Sequence, residues 1–80
     1  MPTLAETTQG ATVRIRSMRP GGGAVRQRLL DMGVTRGTVL LVERVAPLGD
    51  PIEVLLKGYH LAIRHDEAAT IEVDECGGAG

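Results

Sequence analysis

The side chains that could hold a transition metal are His60, His65, Asp66, Glu67 and Cys76. His60 and His65 stand five apart across an expected strand end, a spacing that does not by itself bring two imidazoles to one ion. A stable ferrous site needs several ligands preplaced at about 2 Å with supporting hydrogen bonds. No metal site and no cofactor is therefore expected. Cys76 is the only cysteine, which excludes an intrachain disulfide and a four-cysteine zinc framework and gives no sign of an oxidising compartment. The run Gly21-Gly22-Gly23 precedes an expected helix, where backbone N–H groups attract anions, but no Gly-Lys-Ser/Thr follows it. No Ser/His/Asp set, activated cysteine or closely paired carboxylates stands out, so no catalytic residue is assigned and the chain does not read as an enzyme.

Arginine is the remaining chemistry. Residues 1–40 carry Arg14, Arg16, Arg19, Arg26, Arg28 and Arg36 against only Glu6 and Asp31, whereas residues 41–80 carry Arg44, Lys57 and Arg64 against eight acids. The net charge of -1 hides this division. A basic face of this kind meets phosphate or an acidic protein, unless the two halves simply attract each other or stand solvated. Arg26 and Arg28 can form bidentate contacts with a partner's carboxylates that lysine would not reproduce. Arg64 and Glu67, three apart, are expected to form a local ion pair worth about 0 to 1 kcal/mol if exposed.

The elements that must position these residues are short. Ala11, Val13 and Ile15 alternate with Thr12, Arg14 and Arg16, the period-2 pattern of a half-buried strand. Pro20 and the glycines end it. Val25, Leu29 and Met32 then fall on one face of a helix over 24–32, with Gly33 at its C-cap position and Gly37 at a turn soon after. A strand over 38–45 reaches Ala46-Pro47-Leu48-Gly49-Asp50-Pro51, a turn stiffened by its two prolines. The return strand covers 52–56, Lys57-Gly58 turns again, and strands follow over 59–64 and around Ile71 and Val73, separated by a break at 65–69. Five short antiparallel strands and one helix in the first long connection favour a small mainly-β barrel, because closure removes unpaired edges.

With no Phe, no Trp and Tyr59 as the single aromatic, the core must be aliphatic. A domain of this size buries only about 60 to 65% of the surface its unfolded chain exposes, so its stability is expected to be modest. The first twenty residues hold no apolar signal core, and the apolar run Val39 to Val42 is far shorter than the roughly 20 residues of a membrane span. Neither export nor membrane insertion is expected, and the chain reads as cytoplasmic.

The spaced string Leu29-x-x-Met32-Gly33-Val34-x-x-Gly37, then Ala46-Pro47-x-Gly49-Asp50-Pro51, then Gly58-x-x-Leu61-x-Ile63-Arg64-x-x-Glu67-Ala68 resembles the ferrous-iron transport protein A (FeoA) family. The likeness covers about residues 4–73 and ends in Ile71-x-Val73 as the family's last strand does. It implies an SH3-like β-barrel with an inserted helix over 1–73, leaving 74–80 as a flexible tail. It also implies a cytosolic accessory role in bacterial ferrous-iron uptake, with the membrane ferrous-iron transporter and its cytosolic GTPase domain as partner. The triple glycine and the Cys-Gly-Gly-Ala-Gly tail are not features of the family, so no role is carried over to them.

Partner binding is assigned to Arg26 and Arg28 of the helix and to Leu48, Asp50 and Pro51 of the rigid loop, since ordered loops on a stiff scaffold are common recognition sites. Gly33, Gly37, Pro47, Gly49 and Gly58 are read as structural turn residues. Proline-rich peptide binding is disfavoured, because such grooves are lined with aromatics. The alternative function is direct ferrous-iron binding, as a carrier or a sensor domain akin to the SH3-like domains of metal-dependent repressors. Nucleic-acid binding is weakened by net acidity and missing stacking aromatics. Weak self-association is compatible with the composition.

Overall fold

The computed structural model describes residues 2–20 and 23–76; Gly21 and Gly22 of the glycine run and residues 77–80 of the expected tail lie outside the described residues. A 3-10 turn at Leu4–Glu6 is followed by β1 (Thr12–Met18), α1 (Gly23–Asp31), β2 (Val39–Val45), β3 (Ile52–Leu56), β4 (Tyr59–Ile63), α2 (His65–Ala68) and β5 (Ile71–Glu75). The strands form one antiparallel sheet in the order β4-β3-β2-β1-β5. The mainly-β expectation, with α1 inserted between the first two strands, describes this chain.

The alternation in β1 places Val13 and Ile15 in the core and leaves Arg14 and Arg16 exposed. In β3, Ile52, Val54 and Leu56 are buried in the same way. Val25 and Leu29 of α1 complete one side of the core, and Met32 packs beside them. The helix ends where Gly33, at φ +82°, turns the chain into the left-handed region that a Cβ disfavours. There the Gly33 N–H donates to Leu30 C=O and the Val34 N–H to Leu29 C=O, both at 3.0 Å, the paired bonds of a Schellman cap. Val34 and Leu29 are both buried, which is the apolar contact that accompanies this motif.

The second connection is equally determined. Thr38 N–H donates to Thr35 C=O at 3.0 Å with Gly37 at φ +96°, a type II turn. Both Gly37 N–H and the Thr38 carbonyl then bond to Ile15, so two residues of one strand oppose one of the other. This bulge brings β2 into register with β1.

Three segments differ from the expected layout, and so does the closure of the sheet. The segment 65–68, expected as a break, is the single helical turn α2, held by Arg64 N–H donating to Glu67 Oε1 at 3.2 Å. That bond uses the Arg64 backbone and replaces the ion pair expected between the two side chains. The first expected element begins at residue 11, yet Leu4 is fully buried in the 3-10 turn and packs with the core. Finally, the expected tail boundary at 73 is too early: Asp74 and Glu75 continue β5, and Cys76 N–H donates to Thr12 C=O at 3.1 Å. Strand pairing with β1, invisible in a short charged stretch, orders these residues.

The ladder does not close. No pairing joins β4 to β5 among the described residues; α2 crosses between them instead. The expectation that closure would remove every edge is thus corrected: the core is enclosed by packing, and two strand edges persist.

Candidate functional site

Loop 46–51 joins β2 to β3 and is fastened at both ends. Ala46 N–H donates to Pro51 C=O at 3.2 Å and Gly49 N–H to Ala46 C=O at 2.7 Å, so the turn is closed by its own backbone. Leu48 stands at its tip with 96% of its surface exposed. A single exposed leucine is ordinary on a protein surface, so what distinguishes Leu48 is its place at the tip of a turn whose backbone is locked. Gly49, at φ +81°, sits against α2: a Cβ there would lie 3.8 Å from His65 Nδ1. Asp50 is exposed, and its Oδ1 accepts the His65 backbone N–H at 3.1 Å. Pro47 and Pro51 are exposed beside it. Loop and α2 therefore form one rigid surface.

Arg26 and Arg28 are exposed on α1, opposite the buried Val25 and Leu29. Neither makes an ion pair or side-chain hydrogen bond among the described residues, and none links α1 to the loop. Among the described residues Arg16 is the one arginine paired, to Asp74 at 3.2 Å, with both side chains 44% exposed. The expected attraction between the basic and acidic halves is thus realised once. The arginine charge otherwise remains available at the surface.

The candidate metal ligands are dispersed. His60 Nδ1 lies 2.8 Å from Glu43 Oε1 on the outer face of the sheet, while His65 sits at the loop, and no group of three or more His, Cys, Asp or Glu side chains able to hold a metal ion occurs among the described residues. His65 is the contributor that the sequence hid, because it acts through its backbone and only the Asp50 contact reveals it.

The model of the FeoA domain matches residues 3–75. The chain belongs to the FeoA family. The match reaches both the buried 3-10 turn and the end of β5. A curated relative, the Fe(2+) transport protein A/Fe(2+) transporter FeoB fusion protein of Porphyromonas gingivalis, is 39% identical over 54 residues. That alignment covers 68% of this chain but only 6% of the fusion protein, so this chain spans a small part of that relative's length. The solution structure of the FeoA protein from Chlorobium tepidum shares 43% identity with a TM-score of 0.83, over 96% of this chain and 72% of that one. FeoA from Stenotrophomonas maltophilia, described as a procaryotic SH3 domain protein and solved complexed with zinc, is 25% identical with a TM-score of 0.77, covering 92% of this chain and 91% of that one. The sheet described above is accordingly the SH3-like fold of FeoA proteins. Among the described residues, no helix is long and apolar enough to cross a membrane.

Proposed function

We propose that this FeoA chain is a non-enzymatic, cytoplasmic accessory module of bacterial ferrous-iron uptake that docks on the cytosolic GTPase part of the membrane ferrous-iron transporter. The observation that carries this reading is the Porphyromonas gingivalis relative, in which an FeoA-like segment and the transporter FeoB are one polypeptide. Covalent fusion maintains two parts at a high effective concentration, an arrangement suited to parts that act on each other. The contact is made by Leu48, Asp50 and Pro51 on the loop braced by α2, and by the exposed Arg26 and Arg28 on α1. A preformed loop loses little entropy on binding, and guanidinium groups supply bidentate contacts to carboxylates of the transporter. Direct ferrous-iron binding gains no support from the dispersed His60 and His65.

Calorimetric titration of this chain into the purified GTPase domain tests the reading. Binding is expected, weakened at least about tenfold by the R26E/R28E pair and again by L48A, as loss of charged and apolar interface anchors does. Absence of binding by the unaltered chain overturns the function; binding that neither variant weakens overturns the assignment of these surfaces.

A further inference from the structure

The two edges of the sheet are finished differently. Outside β5, Val73 N–H donates to Pro2 C=O at 3.0 Å and Thr3 forms a bridge with Glu72, so the N-terminal residues cover that edge in part. Outside β4, no backbone hydrogen bond is made among the described residues.

Which groups β4 leaves open follows from the turn before it. Lys57 and Gly58 both have positive φ, 49° and 81°, so the two-residue connection is a type I′ turn and Leu56 and Tyr59 are a hydrogen-bonded pair. Bonded and non-bonded pairs alternate from that point. Tyr59, Leu61 and Ile63 therefore spend their backbone groups on β3, opposite Leu56, Val54 and Ile52. The N–H and C=O of His60 and Ala62 point away from the sheet.

This edge has few of the usual guards. Tyr-His-Leu-Ala-Ile contains no proline and no lysine, and its register with β3 runs without a bulge. Tyr59 is 60% exposed and Leu61 is half-buried. The His60 ring is turned onto Glu43.

We propose that β4 is an interface between two copies of this chain, paired antiparallel about a two-fold axis at Leu61. In that register His60 lies opposite the partner's Ala62 and Ala62 opposite the partner's His60. All the outward N–H and C=O groups of both strands are then satisfied. Leu61 lies opposite the partner's Leu61, and Tyr59 stands opposite the partner's Ile63, whose side chain is buried in its own core, with no like charges opposed. Neighbouring registers are poorer. A shift by two residues in one direction sets His60 against the partner's His60 and Ala62 against the partner's Gly58, inside its turn. The opposite shift sets His60 against the partner's Arg64, whose N–H is committed to Glu67. Self-complementarity of this strand singles out a second copy as the occupant. The contact uses none of the residues assigned to transporter docking.

The strand is short, so the interface falls well below about 1,200 Å² and the dimer should dissociate at roughly millimolar concentration. Translational diffusion and amide exchange measured by NMR between about 20 μM and about 2 mM span that range. Slower diffusion is expected at the upper end, with exchange at the His60 and Ala62 amides slowed severalfold. Ala62→Pro removes an outward donor that β3 does not use, and should abolish the concentration dependence while the far-UV spectrum stays that of the folded chain. If that variant does not fold, the residue pattern in the unaltered chain decides the matter. Unchanged diffusion with His60 and Ala62 exchanging equally fast at both concentrations, or concentration-dependent changes confined to other residues, would overturn the proposal.

Discussion

Asp50 Oδ1 accepts the backbone N–H of His65 at 3.1 Å, joining two segments that lie fifteen residues apart in sequence. The first N–H groups of a helix have no partner within it, so a carboxylate from the loop supplies what α2 cannot. Replacing Asp50 with Ala should cost about 1 kcal/mol, the net worth of one solvent-accessible hydrogen bond to a charged acceptor. Asn retains the acceptor oxygen and should cost less. Urea unfolding of the two variants gives the comparison, and faster exchange at the His65 amide in the Ala variant locates the loss. Equal stability of all three proteins would show that the loop does not depend on this bond.

Leu48 gives the complementary case. With 96% of its surface exposed, it contributes almost nothing to the core, and Leu48→Ala should change stability by no more than about 0.5 kcal/mol. Under the proposed docking role, affinity for the transporter's GTPase domain should fall at least about tenfold, as for an apolar anchor at an interface. A variant destabilised by 2 kcal/mol would instead mean that the loop folds back on the body of the protein.

Much of this architecture could be read from the chain because local rules and tertiary packing agree. Val13 and Ile15, Ile52 and Val54, and Val25 and Leu29 follow the periods of their elements, and the structure buries all six. Where they do not agree, the sequence was silent. Leu4 is one apolar residue among polar neighbours, and a three-residue turn has no period to detect. Asp74 and Glu75 look like tail because their order comes from β1, some sixty residues earlier. The candidate site divides along the same line. The loop's prolines and glycine announce a rigid turn, whereas its brace on His65 is a backbone contact that leaves no mark on residue type.

Gly37 tests the type II turn that sets the register of β2. At φ +96° a Cβ meets no neighbouring atom, so any penalty for Gly37→Ala comes from the backbone conformation alone. That penalty should be about 1 to 2 kcal/mol, the usual cost of placing an L-residue in the left-handed region. Thermal unfolding followed by circular dichroism measures it. Because the bulge at Ile15 depends on this turn, amide shifts should change along β1 and β2 and remain fixed in β3 and β4. An undiminished melting temperature would place the origin of the register elsewhere.

Leu4 provides the strongest test of how this small core is completed. The 3-10 turn around it is secured by Thr3 N–H donating to Glu6 Oε1 at 2.7 Å and Thr7 Oγ1 donating to Leu4 C=O at 2.7 Å, which directs the leucine inward. The turn packs beside α2 and β5, the two elements that follow the open edge of the sheet. Leu4→Ala removes a fully buried side chain from a core without a single Phe or Trp to collapse into the space, and should cost about 2 to 5 kcal/mol. In an 80-residue domain that is a large part of the total stability. The urea midpoint should fall sharply with little change in slope, and exchange should quicken first at Ala68 and Ala69, whose N–H groups hold α2 by donating to Arg64 and His65 carbonyls at 2.8 and 3.0 Å. A loss below 1 kcal/mol would mean that the first residues lie on the barrel without completing it, and that the strands alone account for its stability.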